Sequence, residues 1–116
     1  MKLIGKLMLP KYDEVGAREE FTNLLMGEDA PCMVDPKKKR RDVLRKVKVG
    51  APVQMKWKKR NGYRTILVID PISGLDFGEV SYGTSEHVWD KYPRCKMIGE
   101  VIEKASGTAR IRWKVY

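Results

Sequence analysis

The sequence predicts a mainly β fold of the α+β class, in which five or six antiparallel strands form a small barrel. Two separate stretches, 53–57 and 109–115, carry apolar residues at every second position, as half-buried strands do. An Asn-Gly pair at 61–62 ends the first of these stretches, which is a strong signal for a tight hairpin. The chain has 116 residues, which is enough for one domain with a modest core.

The second half of the chain alternates between strand patterns and turn signals. The run at 65–69 is apolar on both faces, so it is predicted to be a central strand. A turn at 70–74 separates it from a third strand at 75–82, and two final strands flank Ser106-Gly107. The side chains expected to face inward are Val53, Met55, Trp57, Leu67, Val80, Ala109, Ile111, Trp113 and Val115, and those expected to face outward are Arg110, Arg112, Lys114 and Tyr116.

Three helices are predicted around these strands. The first spans 13–26, because Asp13 can cap it, its apolar residues fall on one helical stripe and a glycine follows its end. A short second helix is predicted to begin at Asp35-Pro36 and to end at Gly50. Another short helix is predicted at 84–92, since a threonine and a serine can cap it and a proline stops it.

The helix at 13–26 lies outside the predicted strands. The expected organisation is therefore an N-terminal helical extension at 1–30 and an OB-like barrel at 31–116. The apolar stripe of this helix has to be covered, either by the open end of the barrel or by a second copy of the chain. A homodimer through this helix is accordingly one expected arrangement.

The composition is typical of a folded protein of the cytoplasm. Hydrophobic residues make up 42% of the chain and charged residues 34%. The first ten residues are interrupted by Lys6, are too short to span a bilayer and lack a signal-peptide cleavage site. Cys32 and Cys95 are isolated and are expected to remain reduced. No membrane partner is expected, and the run PKKKRR would indicate a nuclear location only in a eukaryotic source.

The positive charge is concentrated in one part of the chain. The net charge is +9, and the segment from Lys37 to Arg64 holds thirteen basic residues and one acidic residue. Such a patch is typical of a surface that binds a polyanion. The alternative is a solvated helix face, although cations in the first turn of a helix oppose its macrodipole.

A second basic cluster, at 56–64, interleaves aromatic residues with cations. Trp57 is expected in the core, whereas Tyr63 is free to offer its ring to a base. The cluster therefore favours a nucleic-acid-binding module over an adaptor whose basic face binds an acidic protein. The predicted binding residues are Lys37, Lys38, Lys39, Arg40, Arg41, Lys56, Lys58, Lys59, Arg60, Tyr63, Arg64, Arg110 and Arg112.

Nothing in the sequence indicates an enzyme. His87 is the only histidine, and it is expected to have a surface or capping role. The chain has no GxSxG, GxGxxG or Walker phosphate-loop motif. A structural zinc site needs four ligands, which two isolated cysteines and one histidine do not supply. We therefore expect no catalytic residue, no metal and no cofactor.

The chain from Val34 to Tyr116 resembles a HIRAN domain, a small barrel found alone in bacteria and phages and attached to fork-remodelling helicases in eukaryotes. RRDVLRKVKVGAPVQM is similar to the family's short helix, glycine and strand. TILVIDPISGLDFGEVS resembles its central strand, Asp-Pro-x-x-Gly turn and following strand. SEHVWDKY and MIGEVIEKASG lie where the family has its next helix and its penultimate strand.

This resemblance implies binding of single-stranded DNA. Studied members grip DNA ends, in particular a free 3′-hydroxyl, through a segment Asn-Pro-x-Asp-x-Asn-Ala. In this chain, Gly62 occupies the position of the aspartate and Thr65 that of the alanine, and Glu79 replaces an aromatic residue that often follows Gly78. We therefore expect single-stranded DNA binding without strong 3′-end selectivity.

Overall fold

The protein has the expected mainly β architecture. The structure is a computed structural model, which describes the backbone of residues 2–4, 7–27 and 29–116 and the side chains of residues 9–27, 29–59 and 61–116. Its described residues form eight strands and two α-helices, which are β1 (Lys2–Ile4), β2 (Leu7–Leu9), β3 (Glu19–Met26), α1 (Arg40–Lys46), β4 (Pro52–Arg60), β5 (Tyr63–Asp70), β6 (Leu75–Glu79), α2 (Tyr82–Lys91), β7 (Met97–Ala105) and β8 (Thr108–Val115).

Six of these strands form one antiparallel sheet, the main sheet, in the order β3-β8-β7-β4-β5-β6, and β1 and β2 pair as a separate hairpin. The main sheet curls into a half-barrel, so that its two edge strands approach each other. Leu25 of β3 packs on Gly78 of β6, where a side-chain Cβ would lie only 3.1 Å from a Leu25 methyl carbon. The predicted small antiparallel barrel is confirmed in this half-barrel form.

The hollow of the half-barrel holds the core. Ile111 and Trp113 of β8 are fully buried there, as the alternation at 109–115 predicts, and Met55 of β4 joins them. Trp57 is only partly buried against this core. Leu67 is buried but lies outside the main cluster, because alternate residues of β5 point to opposite sides of the sheet.

The two helices close the hollow. α1 buries Val43 and Leu44, and α2 buries Val88. Both helices begin at other residues than predicted. Asp35-Pro36 forms a turn, in which the N–H of Lys38 donates to the Asp35 carbonyl at 3.0 Å, so α1 begins only at Arg40. No helix in the described part of the chain is long and apolar enough to cross a membrane.

The predicted helix at 13–26 is wrong. Residues 19–26 form β3, which pairs along its whole length with β8, from Glu19 opposite Val115 to Met26 opposite Thr108. This segment is therefore an edge strand of the main sheet. Because residues 19–26 form a strand, they present no helical stripe, and the reason for expecting a homodimer through this segment is removed.

Hydrogen bonds to inward-facing polar residues explain why β3 does not show the usual alternation. Glu19 faces inward and accepts a hydrogen bond from the Tyr92 hydroxyl at 2.8 Å. The Asn23 side-chain oxygen accepts one from the indole N–H of Trp113 at 2.7 Å. On the outer face Leu24 and Met26 are 49% and 57% exposed. Two polar residues inside and two apolar residues outside thus interrupt the alternation that indicates a strand.

The outer face of β8 is covered in part. Lys114 is predicted to face solvent, but it is buried because its ammonium group lies over the ring of Tyr12, 4.0 Å from the centroid. Tyr12 belongs to a short 3-10 turn at Tyr12–Glu14. The Arg112 guanidinium lies 4.3 Å from the same ring centroid. Both contacts are cation–π interactions, which favour a desolvated cation on an aromatic face.

Candidate nucleic-acid interface

The predicted binding residues do not form one continuous surface, because the fold separates them. Some are exposed and make no ion pair with any described residue, whereas others are ion-paired, and Arg40 is buried. The side chain of Arg60 lies outside the described residues. The exposed lysines that pair with no carboxylate in the described part of the chain are Lys37, Lys38, Lys56, Lys58 and Lys59. The ion-paired residues are Lys39, Arg41, Arg64, Arg110 and Arg112.

Arg40 belongs to a buried ion cluster, which corrects its placement among the surface cations. Its Nε donates to Asp76 at 2.8 Å, and a terminal N–H group donates to Glu79 at 2.8 Å. Asp76 also accepts the backbone N–H groups of Met33 and Val34, both at 2.9 Å. Burial alone would raise the pKa of Asp76, but these hydrogen bonds outweigh it and hold the pKa below its ordinary value. The cluster therefore anchors α1 to β6.

The arginines of β8 are engaged with neighbouring carboxylates. Arg112 pairs with Glu100 and lies 3.6 Å from the Asp13 carboxylate, in addition to its contact with Tyr12. Arg110 approaches Glu103 at 4.0 Å. Because their charge is largely compensated, these residues are weaker candidates for phosphate contacts than the unpaired lysines.

The β4–β5 hairpin distributes its cations over two faces. Its turn uses Asn61 and Gly62 with positive φ angles of 47° and 82°, as the sequence predicts for a tight hairpin. Directly opposite residues of an antiparallel pair point to the same side. Since Lys58 is opposite Thr65 and Arg60 is opposite Tyr63, Lys58 lies on the Tyr63 face.

The other face of the hairpin contacts α2. Lys59 is opposite Arg64, and both cations lie 5.9 Å from the ring centroid of Trp89. Arg64 also pairs with Glu86 and, at 2.7 Å, with Asp90, and these hydrogen bonds raise its pKa. This face therefore fixes α2 to the sheet. The opposite face is exposed at Tyr63 itself, whereas Leu67 and Ile69 further along β5 are buried.

Tyr63 lines a cleft of about 430 Å³, which we call the tyrosine cleft. Tyr63 and Tyr82 meet edge to face in it, with ring centroids 5.8 Å apart. Their side chains are 59% and 63% exposed, so the rings are accessible. Exposed aromatic rings of this kind are suited to stack on unpaired bases. The cleft is lined by Asn61, Tyr63, Arg64, Thr65, Glu79, Val80 and Tyr82.

One carboxylate forms part of the wall of the cleft. Glu79 accepts hydrogen bonds from Arg40 at 2.8 Å and from the Thr65 hydroxyl at 3.3 Å, one on each oxygen. The position of the family's aspartate is taken by Gly62, which the turn needs for its positive φ angle. Asp70 accepts hydrogen bonds from the backbone N–H and the hydroxyl of Ser73, so its carboxylate is used by its own turn.

A second surface, the lysine groove, lies beside α1 and has a volume of about 380 Å³. The Asp42 carboxylate at its edge is 3.4 Å from Arg45, and Lys39 is 2.9 Å from Asp29. Lys46 makes no ion pair with any described residue. The groove is lined by Lys37, Lys38, Lys39, Asp42, Val43, Lys46, Asp70, Ser73 and Leu75.

Tyr82, Lys46 and Glu79 line these surfaces and are not among the sequence-predicted contacts. Tyr82 begins α2, two residues before the predicted helix start, and a single tyrosine between Ser81 and Gly83 carries no distinctive signal. Lys46 lies in the predicted basic segment, but the sequence does not distinguish it from the other cations of the predicted second helix. Glu79 is noted from the sequence only as a departure from the HIRAN pattern.

Comparisons of the chain with protein-family models, curated proteins and solved structures find no match. The resemblance to HIRAN domains therefore stays a prediction from the sequence.

Proposed function

We propose that this protein is a non-catalytic module that binds single-stranded nucleic acid in the tyrosine cleft. The observation that carries the proposal is the pair of exposed rings, Tyr63 and Tyr82, 5.8 Å apart beside a basic strand. Stacking of a base on such a ring contributes about 1–3 kcal/mol per base and depends little on sequence. The resemblance to HIRAN domains favours DNA over RNA.

Unpaired lysines beside the cleft support this proposal. Lys56 and Lys58 are exposed on the same face of the hairpin as Tyr63. They can neutralise phosphates next to stacked bases, which adds affinity without selecting a sequence. We therefore expect salt-sensitive binding with little sequence preference.

The bound strand should have little 3′-end selectivity. Recognition of a terminal hydroxyl is strongest with a placed carboxylate, because a charge-assisted hydrogen bond is about twice as strong as a neutral one. Glu79 is the carboxylate in the cleft wall, but Arg40 compensates its charge and Thr65 donates to its second oxygen. A free 3′-hydroxyl should therefore be preferred less than tenfold, about 1.4 kcal/mol, over a 3′-phosphate.

A competition titration tests this function. A 12-nucleotide thymidine strand with a 5′ fluorophore would be bound to the protein and displaced by unlabelled single strand, duplex or polyglutamate. We expect the single strand to compete best, because bases in a duplex cannot reach Tyr63 and Tyr82. Equal displacement by duplex would show that only phosphates are bound.

The alternative function is an adaptor for an acidic protein. It is favoured by the lysine groove, which contains no aromatic residue among its lining residues. If polyglutamate displaces the labelled strand as well as single-stranded DNA does at an equal concentration of negative charge, the result supports the adaptor and contradicts the proposal. A tenfold preference for a free 3′-hydroxyl strand over a phosphate-blocked strand would refute only the expected lack of end selectivity.

A further inference from the structure

The tyrosine cleft and the lysine groove lie at opposite ends of the same strand pair. The cleft includes Tyr63 at the start of β5 and Glu79 at the end of β6. The groove includes Asp70 at the end of β5 and Leu75 at the start of β6, and these two residues are directly paired. The β5–β6 hairpin therefore connects the two surfaces.

The length of the hairpin sets the distance between them. With a rise of about 3.3 Å per residue, the four steps from Leu75 to Glu79 cover roughly 13 Å and the seven steps from Tyr63 to Asp70 roughly 23 Å. Arg40 bridges this interval, since its side chain donates to Glu79 while its backbone directly follows Lys39 of the groove. Because side chains alternate along β5, Tyr63 and Asp70 point to opposite faces of the sheet, so a strand that contacts both surfaces has to pass around the β6 edge.

The groove carries uncompensated positive charge. Lys37, Lys38 and Lys46 make no ion pair with any described residue, and the first two are at its rim. Of the two carboxylates that line the groove, Asp42 pairs with Arg45, whereas Asp70 accepts hydrogen bonds from neutral groups of its own turn and keeps its charge. The four lining lysines still outnumber these two carboxylates. Three cations therefore remain for a polyanion.

We propose that the lysine groove holds the phosphates of the same strand whose bases stack in the tyrosine cleft, so that the strand passes around the β6 edge from one surface to the other. This inference rests on the proposed function and adds a footprint to it. Single-stranded sites on small barrels of this kind cover about 4–16 nucleotides, so a trinucleotide is shorter than such a site. Strands shorter than this occupy the cleft alone, and longer strands reach the groove as well.

A length series with a groove variant tests the inference. The variant Lys37→Gln/Lys38→Gln/Lys46→Gln would be titrated with a trinucleotide and with a 12-nucleotide thymidine strand at 50 and 200 mM salt. Each phosphate contact on a single strand contributes about 0.7 to the slope of log affinity against log salt, so three contacts contribute about 2. As the salt rises from 50 to 200 mM, the affinity of the wild type for the 12-nucleotide strand should fall about 18-fold more than that of the variant. For the trinucleotide, the affinities of both proteins should fall by the same factor.

A matched control separates groove contacts from net charge. The variant Lys11→Gln/Lys91→Gln/Lys96→Gln removes the same charge from exposed lysines that line neither surface. It should keep the wild-type slope with the 12-nucleotide strand, because salt screens charges beyond about 10 Å. Thermal unfolding of both variants would show that each is folded at the assay temperature.

The outcomes distinguish the inference from the proposed function. The footprint is wrong if the groove variant changes the salt slope equally for the trinucleotide and the 12-nucleotide strand, or for neither of them. This conclusion holds even if leucine substitutions at Tyr63 and Tyr82 weaken the binding of both strands. If the groove variant loses polyglutamate binding but keeps the 12-nucleotide slope, the groove belongs to an acidic protein partner and the inference is overturned. If the tyrosine substitutions weaken neither strand, the proposed function itself fails.

Discussion

Replacement of Asp76 by asparagine tests the buried ion cluster that anchors α1 to the main sheet. The Asp76 carboxylate accepts three hydrogen bonds, from the backbone N–H groups of Met33 and Val34 at 2.9 Å and from Arg40 at 2.8 Å. Asparagine has nearly the same shape but only one acceptor oxygen. Its NH₂ group would therefore face at least one of these donors, and Arg40 would lose an opposite charge.

The expected loss of stability follows from this geometry. Removing one partner of a buried ion pair costs about 3–5 kcal/mol. Glu79 still pairs with Arg40 in the variant, so we expect the lower end, about 3 kcal/mol. This is a large part of the roughly 5–15 kcal/mol that stabilises a typical domain. At about 4 °C per kcal/mol, the melting temperature should fall by roughly 12 °C.

The pH dependence provides a second readout. The pKa of Asp76 is lowered in the folded state, so its contribution to stability is present above the ordinary aspartate pKa of about 3.9. It is lost as the pH falls from there through the lower folded pKa. The difference in unfolding free energy between wild type and Asp76→Asn should therefore shrink in this acidic range.

Urea unfolding at pH 7 and at pH 3 measures both effects. Asp13→Asn is the control, because its carboxylate is 86% exposed and surface ion pairs contribute only about 0–1 kcal/mol. A loss below 1 kcal/mol for Asp76→Asn at pH 7, similar to the control, would refute the anchoring role of the cluster.

Two further predictions concern the packing of the main sheet. Trp113→Ala should cost about 3–5 kcal/mol, because this side chain is fully buried and stacks on Phe21 with ring centroids 4.4 Å apart, and an unchanged melting temperature would contradict the β8 register. Gly99→Ala should cost about 1–3 kcal/mol, since the new Cβ would lie 2.9 Å from a Val53 methyl carbon. Gly83→Ala is its control. A Cβ added at Gly83 meets no atom within 4 Å outside its own helix backbone, and alanine favours a helix over glycine by up to about 1 kcal/mol. Equal thermal shifts for the two glycine variants would therefore contradict the close packing at Gly99.

β4 and β8 can be predicted from sequence because their polar and apolar residues follow the pleat, and β5 because of its continuous apolar run at 65–69. In β8 the inward side chains are apolar, and the Asn61-Gly62 pair specifies its turn locally. β3 cannot be recognised in this way. Its inward Glu19 and Asn23 are satisfied by Tyr92 and Trp113, which are distant in sequence, and a local pattern does not contain these partners.

The candidate site shows the same division between local and distant information. The sequence locates the basic segment and Tyr63, but it does not distinguish Arg40 from the lysines before it. Burial of Arg40 depends on Asp76, which is 36 positions further along the chain. The cleft likewise exists only because the start of α2 brings Tyr82 next to Tyr63.

The measurement that tests the tyrosine cleft most directly is the affinity of the double variant Tyr63→Leu/Tyr82→Leu for a 12-nucleotide thymidine strand. Two lost stacking contacts of about 1–3 kcal/mol each predict a loss of at least about 30-fold. The matched control Tyr63→Phe/Tyr82→Phe keeps both rings and should bind within about twofold of wild type. Equal affinity of the leucine variant and wild type, with both folded, would contradict the claim that single-stranded nucleic acid binds in this cleft.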